Sequence, residues 1–294
     1  MIVTDWAFKL EWRGSSGLGL TNVKVGAIFV LLLLCPALTL IAGDQSGNSS
    51  ELQIKRLDPP ESGFFSKELS FRGIPIKAHA VVADEALHAA YDRLALELTN
   101  QPMVISNLVA AGVELHIIGR DQVTTDLPEW RHDKGKPIYE PTYNGMTRDE
   151  RTRGMGGRLT SCGEENLLRL ENDRYYGRDI CLHEFAHAIR NFGLPREVRA
   201  RFDDQYAESL AKGLWKNSYA GSNHDEFFAE LTMWYFGTHG DLHMDGPKPA
   251  NGPEGLKKYD QGAFALFDEF YSGRMKVDTV GPRRSGFGID QLSR

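Results

Sequence analysis

The hydrophobic pattern changes along the chain from strand-like alternation to helical spacing. Residues 74–82 (IPIKAHAVV) alternate, and residues 113–118 (VELHII) form a short run rich in apolar and β-branched side chains, so both stretches predict strands. Apolar residues spaced three and four apart from Asp84 to Leu98 predict a helix with Asp84 as its N-cap. A second helix is predicted over about 101–110, between the two strands.

The carboxyl half of the chain is predicted to be mainly helical. Residues 120–160 are rich in proline and glycine and predict a long loop, which could edge a substrate cleft. Helical spacing then returns in four stretches, at about 179–191, 196–212, 223–236 and 257–271. Because strands come early and helices late, the expected fold class is α+β, a small N-terminal sheet with helices followed by a helical C-terminal half.

The first part of the chain has the pattern of an export signal. Residues 25–42 form an uncharged apolar run with Lys24 before it, as in a secretory signal peptide, so residues 1–43 are predicted to be removed. The long polar lead before this run suggests that translation starts near Val23 or Val25. An uncleaved membrane anchor is the alternative. The expected location is secreted or extracytoplasmic, with no stable membrane insertion after signal cleavage.

The remaining sequence divides into a linker, one folded domain and a tail. Polar residues and a Pro-Pro pair predict a linker over 44–70, a domain over 71–278 and a flexible tail over 279–294. The 294-residue chain carries 34 Lys and Arg against 40 Asp and Glu, a net charge of −6, and no basic run. This balance argues against nucleic acid or an anionic membrane as a partner. We expect a monomer.

The strongest chemical signal is the sequence His183-Glu184-Phe185-Ala186-His187. On a helix, residues four apart share one face, so the two imidazoles can bind one metal ion while Glu184 projects beside them. This is the H-E-x-x-H pattern, in which two histidines hold Zn²⁺ and the glutamate is the general base. The alternative, a core helix with two surface histidines, is less consistent with the uncharged residues on either side of the motif.

A catalytic zinc ion needs a third protein ligand, and a downstream helix offers one. In Glu226-Phe227-Phe228-Ala229-Glu230 the two carboxylates lie on one helical face. We assign Glu226 to the metal and Glu230 to the ring N–H of a ligating histidine, a contact that orients the ring. The reverse assignment and a His224 ligand remain alternatives. The segment 237–247 could bind a second cation, although a polar loop is the simpler interpretation.

Two cysteines, Cys162 and Cys181, remain after signal removal. In an exported protein an even number of cysteines favours a disulfide. Such a bond would join the Ser161-Cys162-Gly163 segment to the start of the metal-binding helix, two residues before His183. The alternative is that Cys181 is an inert buried thiol.

The two motifs together resemble the catalytic domain of anthrax toxin lethal factor and its family of gluzincin zinc endopeptidases. The resemblance covers about residues 110–275 and is closer to secreted relatives, since the toxin's carrier-binding and substrate-docking parts have no counterpart here. It implies a zincin-like metallopeptidase fold. In that family the first Glu of the E-F-F-A-E motif binds zinc, and a tyrosine seven residues before it leans toward the metal. Tyr219 stands at that offset, so the resemblance implies that it assists catalysis. The alternative is a loop anchor.

The sequence therefore predicts a secreted zinc endopeptidase that acts on a peptide or protein substrate. Zn²⁺ is the expected cofactor, and Glu184 the base that activates water. The alternative is a catalytically silent extracellular binding module stabilised by zinc. Structural zinc sites usually have four protein ligands, often cysteines, whereas the residues found here are two histidines and a glutamate beside a base.

Overall fold

The computed structural model describes residues 52–139, 143–175, 177–239 and 244–281. The predicted signal peptide at 1–43 and most of the predicted tail at 279–294 lie outside the described residues. Within the described ranges, no helix is both long enough and apolar enough to cross a bilayer.

A five-stranded mixed sheet forms one side of the domain. Its strands are β1 (Lys55–Glu61), β2 (Phe65–Phe71), β3 (Ile74–Ala78), β4 (Glu114–Ile118) and β5 (Leu159–Gly163), and they lie side by side in chain order. β1, β2 and β3 pair antiparallel, whereas β3, β4 and β5 run parallel. Nearly every residue of β4 and β5 is buried, as expected for parallel strands covered on both faces.

The first two strands correct the predicted linker at 44–70. β2 alternates buried and less buried positions, with Phe65, Leu69 and Phe71 facing the core. β1 is almost entirely exposed, and it is an edge strand, a position that tolerates proline. The Pro-Pro pair that suggested a linker is therefore part of the sheet. β5 likewise replaces the end of the predicted loop at 120–160.

The helices are α1 (Asp84–Leu98), α2 (Pro102–Ala111), α3 (Arg148–Arg151), α4 (Glu164–Leu167), α5 (Ile180–Ala188), α6 (Arg196–Ala211), α7 (His224–Tyr235), α8 (Pro253–Tyr259) and α9 (Gln261–Tyr271). Asp84 lies in the first turn of α1 and Ala83 is the N-cap, which differs from the prediction. The helix expected over 257–271 is two helices. The reason is Asp260, whose side chain accepts a hydrogen bond from the amide of Ala263 at 3.0 Å and begins α9.

The core places α5 between the sheet and α7. α5 packs against β5 and α1 on one side and against α7 on the other. Phe227 and Phe228 of α7 are fully buried, and their rings pack edge-on or tilted against Phe202 and Phe267. The α+β class is confirmed. The order of elements also matches the expectation, because the strands end at residue 163 and the longer carboxyl-half helices follow.

Candidate active site

The start of α5 is held in place by several side chains. Asp179 is the N-cap, and its Oδ1 accepts a hydrogen bond from the amide of Leu182 at 3.2 Å. Its Oδ2 pairs with Arg93 Nε of α1 at 2.5 Å. Cys181 forms a disulfide with Cys162 of β5, which confirms the predicted pairing. The helix that carries the H-E-x-x-H motif is therefore covalently attached to the sheet.

The motif presents its two imidazoles on one face of α5, as the spacing predicts. His183 Nε2 and His187 Nε2 lie 3.2 Å apart. His183, Glu184 and His187 each offer one potential ligand atom, and these atoms lie within 4.8 Å of one another. His183 is buried, while Glu184 and His187 are partly buried. One divalent cation could thus be reached by both rings.

Glu226 approaches the same point from α7. Asn223 caps that helix by accepting the amides of Asp225 and Glu226, both at 2.9 Å. Glu226 Oε2 then lies 3.2 Å from His183 Nε2 and 3.4 Å from His187 Nε2. This oxygen is buried and has no hydrogen-bond partner among the described residues. A buried carboxylate oxygen facing two imidazole nitrogens is a donor set that fits zinc.

The other two candidate ligands lie elsewhere. Glu230 is fully buried, and its Oε1 is 3.2 Å from Nδ1 of His183, on the side of the ring away from Glu226. This is the position expected of a residue that orients the ring, although the contact is not aligned as a hydrogen bond. His224 is half exposed, and its Nδ1 accepts a hydrogen bond from Arg190 Nη2 at 2.8 Å.

The charges of the cluster shift its pKa values strongly. Burial raises the pKa of Glu226, but the adjacent imidazoles of His183 and His187 outweigh it and hold that pKa well below its usual range. Burial would lower the pKa of His183, but Glu226 and Glu230 raise it to about 10. Burial raises the pKa of Glu184, and the two imidazoles offset this only in part. A carboxylate with a raised pKa is suited to act as a base near neutral pH.

Tyr219 lies beside the cluster, in the turn before α7. Its ring stacks near that of His183, with centroids 6.1 Å apart and planes 21° apart. The residue is 40% exposed. Burial of its hydroxyl and the carboxylates of Glu226 and Glu184 raise the pKa of Tyr219 well above its usual value. A protonated phenol at this place can donate a hydrogen bond beside the cluster of His183 and Glu226.

A glycine-rich segment packs against the H-E-x-x-H motif. Met155 forms an isolated antiparallel bridge with Ser161 of β5, which attaches the segment to the edge of the sheet at one point. A Cβ on Gly154 would lie 3.0 Å from Cγ of Glu184, and a Cβ on Gly156 would lie 2.9 Å from Cβ of His187. The backbone approaches the motif closely at both positions, which requires glycine.

The contacts of two arginines close to the site were not predicted from the sequence, and neither was the role of His239, although it lies in the 237–247 segment considered for a second cation. Arg178 Nη2 binds Glu230 Oε1 at 2.5 Å. His239 is fully buried, stacks on Trp234 at 3.6 Å and bonds to the other oxygen of Glu230. Arg190 contacts the start of α7. For the two arginines, the sequence showed only that a charged residue flanks the buried motif on each side.

The predicted second cation at 237–247 depends partly on residues 240–243, which lie outside the described ranges.

Comparison with known proteins finds similarity among solved structures but no match in sequence. No family model and no curated protein matches the chain. Among solved structures, the PRO-PRO endopeptidase (PPEP-2) from Paenibacillus alvei is similar with a TM-score of 0.49 and 16% sequence identity. The similarity covers 67% of this chain and 97% of that chain. The resemblance to the lethal factor family remains a prediction that depends on the two sequence motifs.

Proposed function

We propose that the protein is a zinc-dependent endopeptidase in which His183, His187 and Glu226 bind the metal. The observation that carries the proposal is the position of Glu226 Oε2, 3.2 and 3.4 Å from the two Nε2 atoms. Two imidazoles and one carboxylate are a common ligand set of catalytic zinc, which leaves one position for water or substrate. Cys162 and Cys181 are bonded to each other, so neither supplies the thiolate typical of a closed structural site.

The protein side chains divide the chemistry between them. A bound zinc ion supplies Lewis-acid activation of water and of the scissile carbonyl. Glu184 accepts the proton of the attacking water and delivers it to the leaving nitrogen. Tyr219 donates a hydrogen bond to the oxyanion that develops on the carbonyl oxygen. Glu230 holds the His183 ring, with its Nδ1 toward the carboxylate and its Nε2 toward Glu226.

We also propose that the enzyme acts outside the cytoplasm on a peptide or protein substrate. The disulfide between Cys162 and Cys181 supports this location, because such bonds persist mainly in oxidising compartments. The predicted signal peptide also supports a location outside the cytoplasm.

The direct test combines metal analysis with peptide-library cleavage on one preparation of the protein. We expect one zinc per chain, and cleavage that a chelator abolishes and added zinc restores. Glu184→Gln should keep the zinc and lose hydrolysis, whereas Glu254→Gln, a change at an exposed site on α8, should leave both unchanged. Bound zinc without cleavage of any peptide would favour the silent binding module. A preparation that binds no zinc would contradict the proposal.

A further inference from the structure

Arg190 connects the end of the motif helix to the start of α7. It lies three residues after His187, in the π-helical turn Ile189–Gly193 that continues α5, and is 3% exposed. Its Nε donates to Asp225 Oδ1 at 2.6 Å. Its Nη2 donates to Asp203 Oδ1 at 2.5 Å and to His224 Nδ1 at 2.8 Å. Two of these partners, His224 and Asp225, immediately precede Glu226.

Arg178 makes the corresponding connection at the other end of α5. It precedes the helix, and its Nη2 donates to Glu230 Oε1 at 2.5 Å, one turn further along α7 than Glu226. The two arginines that flank the H-E-x-x-H helix therefore bind two carboxylates of α7, Asp225 and Glu230. Both guanidinium groups are largely buried. Contacts at both ends set the register of one helix against the other.

This register has to be accurate for metal binding. A shift of α7 by one residue moves it about 1.5 Å along its axis. Metal–ligand distances tolerate only about 0.2 Å. The guanidinium group suits this task, since its planar donors have fixed directions and lose little entropy per hydrogen bond.

We infer that Arg190 and Arg178 are positioning residues that hold α7 in the register at which Glu226 meets His183 and His187. This inference rests on the metal site of the proposed function. Each arginine acts through a carboxylate of α7.

The test is the zinc affinity of variants, measured by competition with a chromophoric chelator. Arg190→Met and Arg178→Met should each weaken zinc binding about 10- to 100-fold, the range typical of residues that support metal ligands. Arg148→Met is the matched control, because Arg148 also forms a largely buried pair, with Asp133 at 2.6 Å, and neither residue belongs to α5 or α7. The control should bind zinc like the wild type. An affinity of Arg190→Met within twofold of the wild type would overturn the role of Arg190, and the same result for Arg178→Met that of Arg178.

A double-mutant cycle separates positioning from a general loss of stability. In a Glu226→Ala background, Arg190→Met should cause little further loss of zinc affinity, since the ligand it positions is gone. If the two losses multiply, Arg190 does not act through Glu226. If Arg190→Met does not fold, Asp225→Asn can replace it, because asparagine keeps the shape of the aspartate side chain and removes its charge. Asp225→Asn should also weaken zinc binding.

The outcomes also separate this inference from the proposed function. Wild-type protein that binds zinc but cleaves nothing would end the proposed activity and leave the positioning role intact. Active wild-type enzyme with unchanged zinc affinity in both arginine variants would support the proposed activity and overturn the positioning role.

Discussion

Glu226 Oε2 lies 3.2 Å from His183 Nε2, although the two residues belong to different helices. The carboxylate reaches this point because Asn223 begins α7 and because α7 packs directly along α5. His187 joins them at 3.4 Å, so three donors from two helices share one small volume. Negative charge on one helix thus faces two imidazoles on the other, an arrangement that a divalent cation would stabilise.

Removal of the Glu226 carboxylate should abolish tight metal binding. Glu226→Ala leaves two histidines as ligands, and we expect zinc affinity to fall by about 100-fold or more. Metal analysis after dialysis and chelator competition measure the loss. Glu254→Ala on α8 is the exposed control. Stoichiometric zinc in Glu226→Ala would transfer the ligand role to Glu230.

Removal of the Tyr219 hydroxyl should affect the reaction and spare the metal. Tyr219→Phe keeps the ring that stacks near His183 but cannot donate to the oxyanion, so we expect kcat to fall about 10²- to 10³-fold with zinc retained. Steady-state kinetics on the best library peptide measures this. Tyr235→Phe removes a hydroxyl that binds Asp268 at 3.0 Å and should leave kcat unchanged. Equal kcat in both variants would make Tyr219 a structural residue.

The disulfide should contribute substantially to stability. Cys162 and Cys181 are 19 residues apart, and closing a loop of this size stabilises a fold by roughly 3 kcal/mol. We expect the double variant Cys162→Ala/Cys181→Ala to lose about this free energy of unfolding, measured by chemical denaturation. A reducing agent should destabilise the wild type and have no effect on the double variant. If the reducing agent destabilised both proteins, its effect would not come from loss of this disulfide.

His116 should make stability depend on pH. It is buried on β4, with Nδ1 2.6 Å from Glu129 and Nε2 3.0 Å from Glu114. Burial lowers the pKa of His116, but the hydrogen bonds to Glu114 and Glu129 outweigh it and raise the pKa above 6.5. A raised pKa in the folded state means that this stabilisation is complete below the unfolded pKa of 6.5 and is lost as the pH rises through the folded value.

The measurement for His116 is denaturation of the wild type and His116→Gln at two pH values. Below about pH 6 the variant should be less stable by roughly 1.5 kcal/mol or more, the contribution of hydrogen bonds to a charged group. As the pH is raised further above 6.5, the difference should shrink. A difference that grows with pH would have the wrong sign.

The chemistry of the candidate site was largely visible in the sequence. The spacing of His183, Glu184 and His187 follows from the helical period alone, and so does the shared face of Glu226 and Glu230. The two cysteines, whose pairing in the structure confirms the predicted bond, needed only an even count and an oxidising compartment. Most helices agree with the predictions to within a few residues, because each depends on local periodicity and local caps.

Other features were decided only by tertiary structure. β1 is exposed and rich in charge and proline, so its own sequence does not predict that it pairs with β2. The partners of Arg178 and Arg190 lie 52 and 35 residues away, and nothing local indicates which carboxylate each one binds. The sequence predicts Gly154 and Gly156 only as loop residues. Their close approach to the motif helix is visible only in the packed structure. Periodicity records which face of an element is buried, whereas the atoms that meet across two elements depend on how the whole chain packs.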